Sequence, residues 1–492
     1  MRCMSRVLDS YGPAGVDGRY GEPNFCTAGD HGVLESLDET KGAGTHMKQR
    51  FFFLLILVIV SASFSAGTTW ANDGAGDQRY IVRTSKGRLA VEYFCWEAGC
   101  DVQSGLDGTY GHTYLVTSSN NLVTQVVNGT LNQVAQTFGI QSVEADQRLP
   151  MPGVPLNNMP AGLYDTAPVN YFGTVVWHGY AAQPAAQIIR LTDAQNGFRI
   201  SGGGIVAVID TGVDPNHPVL RASLVPGFDF TRNQSGASEW LDISSLQTGP
   251  VNTSSQNQQP VLVQQSTAAV LDQSTAAILE GQSYSAFGHG TMTAGLVHLV
   301  APKAKILPLK AFSSDGTGYL SNILAALYYA VQHYANVVNM SFDLTTSSPA
   351  LAQAVSDANQ AGVILVAAAG NESTSAPVYP AALNGFVMGI ASTSNADIRS
   401  SFSNFGPADV WLAAPGENIV STYPGGTYAS ASGTSFSSPL VAGTAALLFS
   451  AKQPISQTQA ANALKHARLL TPDLNNGRLD VYQAVTFWLL AH

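Results

Sequence analysis

Gly204-Ile205-Val206-Ala207-Val208-Ile209-Asp210-Thr211-Gly212 is the stretch on which the fold turns. An unbroken run of β-branched and small apolar residues reads as a strand buried on both faces, the type found in parallel sheets. It stops on a carboxylate and a glycine, so the strand would carry Asp210 at its carboxyl end. Similar runs cover 305–310, 336–341, 363–368 and 386–391. Helical patterns lie between several of them, one with Ile323, Leu324, Leu327, Tyr328, Val331 and Tyr334 on a single face, another over 351–361. Strands alternating with helices predict an α/β fold, a parallel sheet with helices on both faces, whose functional groups collect at the carboxyl ends of the strands. Asp210 and the Gly370-Asn371 turn both follow such strands.

Two further segments open helices rich in small residues. Gly288-His289-Gly290-Thr291 leads into an apolar helix over 290–299, and Gly433-Thr434-Ser435 into another over 436–449, where Ala442, Gly443, Ala445 and Ala446 permit close packing. That second helix places Pro439 in its first turn, where a missing N–H costs little. A serine hydroxyl becomes a competent nucleophile when an imidazole takes its proton and a carboxylate holds that imidazole in one tautomer. Asp210, His289 and Ser435 are the candidates for those roles, in the order acid, base, nucleophile. No glycine stands two residues after Ser435, which argues against the strand-to-helix elbow of α/β-hydrolases. Asn371 is the candidate oxyanion donor, together with the backbone N–H of Ser435.

At these residues the chain resembles the subtilisin-like serine endopeptidases. The matching stretches are Val208-Ile209-Asp210-Thr211-Gly212-Val213, the His289 segment, Ala368-Ala369-Gly370-Asn371, and Gly433-Thr434-Ser435 followed by Ser438-Pro439. The resemblance implies a parallel-sheet catalytic domain over 172–490 and hydrolysis of protein or peptide substrates through an acyl-enzyme on Ser435. It implies substrate held as an extended strand along Ser341-Phe342 and Ala368-Ala369-Gly370. It implies no cofactor for the chemistry. Calcium is common in the family, but no carboxylate loop here stands out, and no metal ligand is assigned. A relative that binds peptides or proteins without cleaving them is the alternative of a different class.

The rest of the chain fits an exported precursor. Lys48-Gln49-Arg50, the apolar run 51–60 and small residues after it read as a secretory signal over 47–71, with cleavage after Ala71 or after Ser65, and no stable membrane span is expected. The signal begins at Met47, so residues 1–46 read as a non-native or disordered extension and Met47 as the translational start. Residues 79–148 read as a small α+β unit, with strand patterns at 79–83 and 113–117 and a helical spacing through Leu122, Val126, Leu131, Val134 and Phe138. By position this unit resembles the family's propeptide, an intramolecular inhibitor whose last stretch, Val143 to Arg148, would lead into the cleft. Cys95 and Cys100 are candidates for a local disulfide in an exported protein. Residues 149–171, with Pro150, Pro152, Pro155 and Pro160, read as a linker. Secretion, or a periplasmic location, and a monomeric state are expected.

Composition narrows partners. Only 11% of residues are charged, against about 25% in an average soluble domain, and the net charge is −10. Without a basic patch, nucleic acid is not an expected partner. Two features depart from the family pattern. Asp343 stands where a glycine is usual, putting a charge in the cleft, and Phe436, Ser437, Ser438 and Leu440 differ from the commonest residues beside the nucleophile. An insertion over 244–282 also separates Asp210 from His289 and contains an eight-residue repeat, 265–272 and 273–280, readable as two strands or a short helix.

Overall fold

The computed structural model describes residues 77–150, 160–243 and 284–491, together with the backbone of 261–262 and 267–269. The expected extension, the signal segment, the middle of the linker and most of the insertion lie outside the described residues. Residues 73–492 form one compact unit.

Its N-terminal part follows the order β1 (Gln78–Thr84), α1 (Arg88–Ala98), β2 (Asp101–Gly105), β3 (Thr113–Ser118), α2 (Leu122–Val127), α3 (Asn132–Thr137) and β4 (Ile140–Ala145). The strands pair antiparallel in the order β2-β3-β1-β4. The single helical spacing read over 122–138 is two short helices, separated by Gly129 at φ +93°. Helix α1 ends on Gly99 in the left-handed conformation, which turns the chain so that Cys95 and Cys100 are disulfide-linked with Cα atoms 4.4 Å apart. One face of the sheet, with Tyr80, Val82 and Val116, packs on Val91, Phe94 and Leu122 of its own helices. The other presents Ile81 and Leu115 to a core shared with the C-terminal part.

The expected linker is shorter than 149–171. Its beginning forms β5 (Arg148–Pro150), and its end is already folded: Leu163 is buried in the main core and Pro168–Tyr171 (β6) pairs with Thr174–Trp177 (β7). Apolar side chains at 163, 169 and 171, hidden among the prolines and glycines, drive that packing.

Beyond them run short helices α4 (His178–Ala181), α5 (Pro184–Ile188) and α6 (Leu191–Phe198), then β8 (Ile205–Asp210), β9 (Phe228–Asp229) and β10 (Gln234–Ser235). In the insertion, β11 (Val261–Leu262) and β12 (Thr267–Ala269) are extended, so the first copy of the repeat contributes a strand. There follow α7 (His289–Val300), β13 (Lys305–Lys310), β14 (Thr317–Tyr319), α8 (Leu320–Gln332), β15 (Val337–Met340), α9 (Pro349–Gln360), β16 (Ile364–Ala368) and β17 (Val387–Thr393). The chain closes with β18 (Leu412–Pro415), β19 (Ile419–Tyr423), β20 (Thr427–Ala431), α10 (Thr434–Ala451), α11 (Gln457–Leu464) and α12 (Val481–Leu490).

The main sheet has eight strands in the order β10-β9-β13-β8-β15-β16-β17-β18, parallel throughout except for the β10 edge. Helices α7 and α10 share a core with one face, α8 and α9 with the other. Both faces are therefore covered, which is why β8 is apolar at every position before Asp210. A four-stranded sheet, β11-β12-β20-β19, lies apart, with 267–269 antiparallel to 429–431.

Helix α10 departs from expectation at Pro439. The helix starts at Thr434, so Pro439 falls in the second turn, not the first. There its missing N–H would have reached the carbonyl four residues back, that of Ser435. The Ser341 hydroxyl takes that place, donating to the Ser435 carbonyl at 2.9 Å.

Helices α7 and α10 touch where Gly443 faces Val300, and a Cβ on Gly443 would lie 2.6 Å from Val300 Cβ. Overpacking of this kind costs about 1–3 kcal/mol, more than the helix propensity gained. Gly443→Ala should therefore lower the melting temperature by about 2–4 °C. The comparison is made by calorimetry in the Ser435→Ala background, which removes self-cleavage from the measurement.

Candidate active site

Three chain segments meet at the carboxyl edge of the main sheet. Strand β8 ends on Asp210, which is fully buried. Helix α7 begins with His289, and its next residue, Gly290, lies against the Gly212 carbonyl so closely that any side chain there would overlap it. That contact lets the helix start abut the strand end. Asp210 Oδ1 accepts from His289 Nδ1 at 2.7 Å. It also accepts from the Thr211 backbone N–H at 2.7 Å, while Oδ2 accepts from the Thr293 hydroxyl at 3.2 Å. With Nδ1–H pointed at a carboxylate, neutral His289 carries its lone pair on Nε2.

A second carboxylate, not singled out in the sequence, lies behind this pair. Glu239 is buried, and its Oε1 accepts from the Thr211 hydroxyl at 2.5 Å and the Gly290 N–H at 3.1 Å, its Oε2 from the Thr291 hydroxyl at 2.7 Å. Burial pushes the Glu239 carboxyl up to about 7, against the pull of the two threonine hydroxyls and with repulsion from Asp210 adding to the rise. Nearby Lys310, also buried, donates to the Thr211 carbonyl at 2.7 Å and to Asp242 at 2.8 Å. Burial acts to lower the His289 pKa, but the charges of Asp210 and Glu239 and the Asp210 hydrogen bond outweigh it, and the net shift is upward. The one signal for Glu239 in the sequence was an acidic pair, Glu239 and Asp242, in a chain otherwise poor in charge.

Ser435 sits in the first turn of α10, 4% exposed. Its hydroxyl donates to the Ser341 carbonyl at 3.1 Å. The bond is reciprocal with the one from Ser341 Oγ to the Ser435 carbonyl. Ser341 Oγ in turn contacts Ser438 Oγ at 3.1 Å and accepts from Asn339 Nδ2 at 2.8 Å. The His289 ring lies 5.2 Å from that of Phe436, the residue after Ser435. Asn371 is fixed by its own oxygen: Oδ1 accepts from the Thr434 N–H at 2.9 Å and hydroxyl at 3.0 Å. Its amide nitrogen is thereby left to donate elsewhere, next to the Ser435 backbone N–H, which a first helical turn leaves without an intrahelical acceptor.

The expected substrate-binding residues flank this point. Ser341 and Phe342 follow β15, and Ala368 ends β16 with Ala369 and Gly370 after it. Their side chains are buried, so any contact with substrate runs through backbone. The Ala369 N–H already donates to the Ile390 carbonyl at 3.0 Å and the Gly370 N–H to Thr434 Oγ1 at 3.2 Å. Among the described residues, no three His, Cys, Asp or Glu side chains gather as a metal site requires, and no calcium ligands are assigned.

A family model described as Peptidase S8, the subtilase family, matches residues 201–483. Thermitase of Thermoactinomyces vulgaris is 34% identical over 297 residues, covering 58% of this chain and 89% of thermitase. Subtilisin BL of Lederbergia lenta is 39% identical over 188 residues, 36% of this chain and 69% of that protein. A thermophilic serine proteinase of Bacillus sp. strain AK1 is 32% identical over 348 residues, 68% of this chain and 75% of its own length. With the α/β fold, the parallel sheet and these matches together, the chain belongs to the subtilase family and is a serine-type endopeptidase.

Proposed function

We propose that this endopeptidase is exported, is made in a self-blocked form, and works through Ser435 as nucleophile, His289 as general base and Asp210 as the group that orients His289. The carrying observation is the 2.7 Å Asp210–His289 pair at the same sheet edge as the first turn of α10, where Ser435 lies. In the resting arrangement the Ser435 hydroxyl rests on the Ser341 carbonyl. On this reading a turn about its χ1 presents it to His289 Nε2. His289 takes the proton as Ser435 Oγ attacks the substrate carbonyl, then returns it to the leaving amine, and water releases the acyl group. The Asn371 amide and the Ser435 N–H receive the charge that develops on the carbonyl oxygen.

Self-blocking is supported by the way the N-terminal unit is seated. Arg148–Pro150 pairs antiparallel with Thr317–Tyr319, as an added strand would. Asp146 accepts from the Ser321 N–H and hydroxyl, both at 2.8 Å, at the start of α8. Export is supported by the basic, apolar and small-residue sequence of 48–71. On this reading the N-terminal unit is a propeptide, and cleavage falls after the docked strand, before the folded stretch that starts near residue 160.

Expressed intact, the chain should process itself between residues 150 and 160 and then hydrolyse casein, and a serine-directed phosphonate should stop both reactions. Ser435→Ala should remain full length by mass spectrometry and leave casein uncut. Processing without later hydrolysis of any substrate would instead favour a peptide-binding relative.

Asn371→Ala should lower kcat about 10²–10³-fold with little change in KM, because the donor acts on charge present only in the transition state. Peptide kinetics separate the two constants.

The raised His289 pKa sets the sign of the pH dependence. kcat/KM should rise with pH through an apparent pKa above the ordinary histidine value of about 6.5. The stabilisation that His289 contributes to folding is complete below that value and is lost as pH rises through the folded-state titration. Asp210→Asn should shift the titration downward, since burial remains while the anion is gone, and cut kcat about 10⁴-fold. The imidazole resonances report the first effect, steady-state kinetics the second.

A further inference from the structure

Asp343 is the departure from the family pattern flagged in the sequence, and its surroundings are unusual in a chain with so little charge. It lies two residues past Ser341, whose carbonyl accepts the Ser435 hydroxyl, and is only 8% exposed. It makes no hydrogen bond or ion pair with the described residues. The charges that act on it are those of two more carboxylates, Glu372 and Asp409. Glu372 follows Asn371 directly and is exposed, its Oε2 held by Asn404 Nδ2 at 2.8 Å. Asp409 is fully buried, with Oδ1 accepting from the Val378 N–H at 2.9 Å and Oδ2 buried without a hydrogen-bond partner.

No described Lys, Arg or His side chain pairs with any of the three. Arg399, the cation on the stretch leading to Asn404, is directed at Asp473 at 2.9 Å. Burial, with Glu372 and Asp409 adding to it, pushes the Asp343 carboxyl up to about 7, and burial with Glu372 takes Asp409 to about 6. Uncompensated carboxylates in a buried setting repel one another and hold their protons until a cation arrives.

The backbone shows where that cation enters. Strands β15 and β16 are paired up to Met340 and Ala367. Beyond that point they part: Leu344 turns to pair with Tyr379, while Ala369–Asn371 turns toward Thr434. The opening where the strands part lies beside Ser435, bonded to Ser341, and Asn371: exposed Glu372 follows Asn371 on one side, and on the other Asp343 precedes Leu344, whose partner Tyr379 follows Val378, the residue that Asp409 bonds. The three carboxylates do not converge as metal donors do. A long, flexible side chain with one terminal positive charge suits them better than a compact ion.

We infer that this opening receives the side chain of the substrate residue whose carbonyl is attacked, and that Asp343, backed by Asp409 and Glu372, selects lysine or arginine there. The inference rests on the peptidase site proposed above. Cleavage after basic residues should strengthen as pH rises through neutrality, because Asp343 then gains its charge, and the group it faces in the substrate stays positive.

Processed protein is assayed on peptides that differ only at the residue before the cut bond: lysine against norleucine, arginine against citrulline. Citrulline keeps the length of arginine and norleucine keeps the four-carbon stem of lysine, each without the charge, and the ratio of kcat/KM cancels the titration of His289. At pH 8.5 the charged member should be favoured about tenfold or more, the scale of one charge-assisted contact, and the ratio should shrink toward pH 6. Asp343→Asn, and separately Asp409→Asn, should bring it toward one. Equal rates within each pair for the unmutated enzyme, or ratios untouched in both variants, would overturn the inference. Binding of p-aminobenzamidine, followed by its fluorescence, tests the pocket without catalysis. Amidinium binding that Asp343→Asn abolishes, in a protein that cuts no peptide, supports the pocket and defeats the peptidase role. Absence of amidinium binding in a protein that cuts all the peptides defeats the pocket alone.

Discussion

The cleft depends on one missing hydrogen. Pro439, in the second turn of α10, cannot bond the carbonyl of Ser435, and a buried carbonyl left empty is costly. The Ser341 hydroxyl fills it from the end of β15, and the Ser435 hydroxyl answers by donating to the Ser341 carbonyl. Helix start and strand end are thus tied twice through the same two residues. Because Ser341 is itself held by Asn339 and contacts Ser438, the point where the nucleophile leaves the helix is fixed from both the sheet and the helix. A helix with an amide at position 439 would satisfy Ser435 internally and release that tie.

The opposite side of the cleft is fixed by charge in place of a proline. Asp210, Glu239 and Lys310 are buried, and the Asp242 side chain is nearly so, in a chain whose surface is largely neutral. Each is bonded: Asp210 by Thr211, Thr293 and His289, Glu239 by Thr211, Thr291 and the Gly290 N–H, Lys310 by two carbonyls and Asp242. Thr211 bonds both carboxylates, so the position of Asp210 and the start of α7 are not independent. The elevated Glu239 pKa, about 7, means that this second carboxyl takes up a proton near neutrality and then no longer adds to the charges that raise the His289 pKa.

What the sequence made readable was whatever expresses itself in adjacent residues. Lys305–Lys310 and the four other strands expected in the main sheet, β8, β15, β16 and β17, stand within about two residues of their expected bounds, because a strand buried on both faces is an apolar run, whereas β9, β10 and β18 were not expected. Asp210, His289 and Ser435 stood out as candidates because each ends or opens an apolar element. Three things were not readable. Helix α1 was missed because its buried residues Ala90, Val91, Phe94, Cys95 and Ala98 are interspersed with exposed Leu89, Tyr93 and Trp96, which blurs the period. Pro439 was put in the first turn because the helix start was taken at Phe436, whereas Asn371 caps it two residues earlier, at Thr434. Glu239 was passed over, the acidic pair with Asp242 being its one local sign, because its partners come from Thr211 and from α7, fifty-odd positions away, and long-range polar contacts leave no local periodicity.

Asp343 joins the two kinds of information. In the sequence it was a lone substitution beside a strand end, with no stated consequence beyond a charge in the cleft. In the fold it becomes one of three carboxylates that act on one another, with exposed Glu372 and buried Asp409. Glu372 is the residue after Asn371, so the peptide turn that positions the amide also positions the exposed carboxylate, and Asn404 bonds that turn twice through its backbone while holding the Glu372 carboxylate. A change at Asn404 would therefore act on both at once. On the roles proposed for Asn371 and Asp343, charge recognition and oxyanion binding share one loop whose geometry a single asparagine holds.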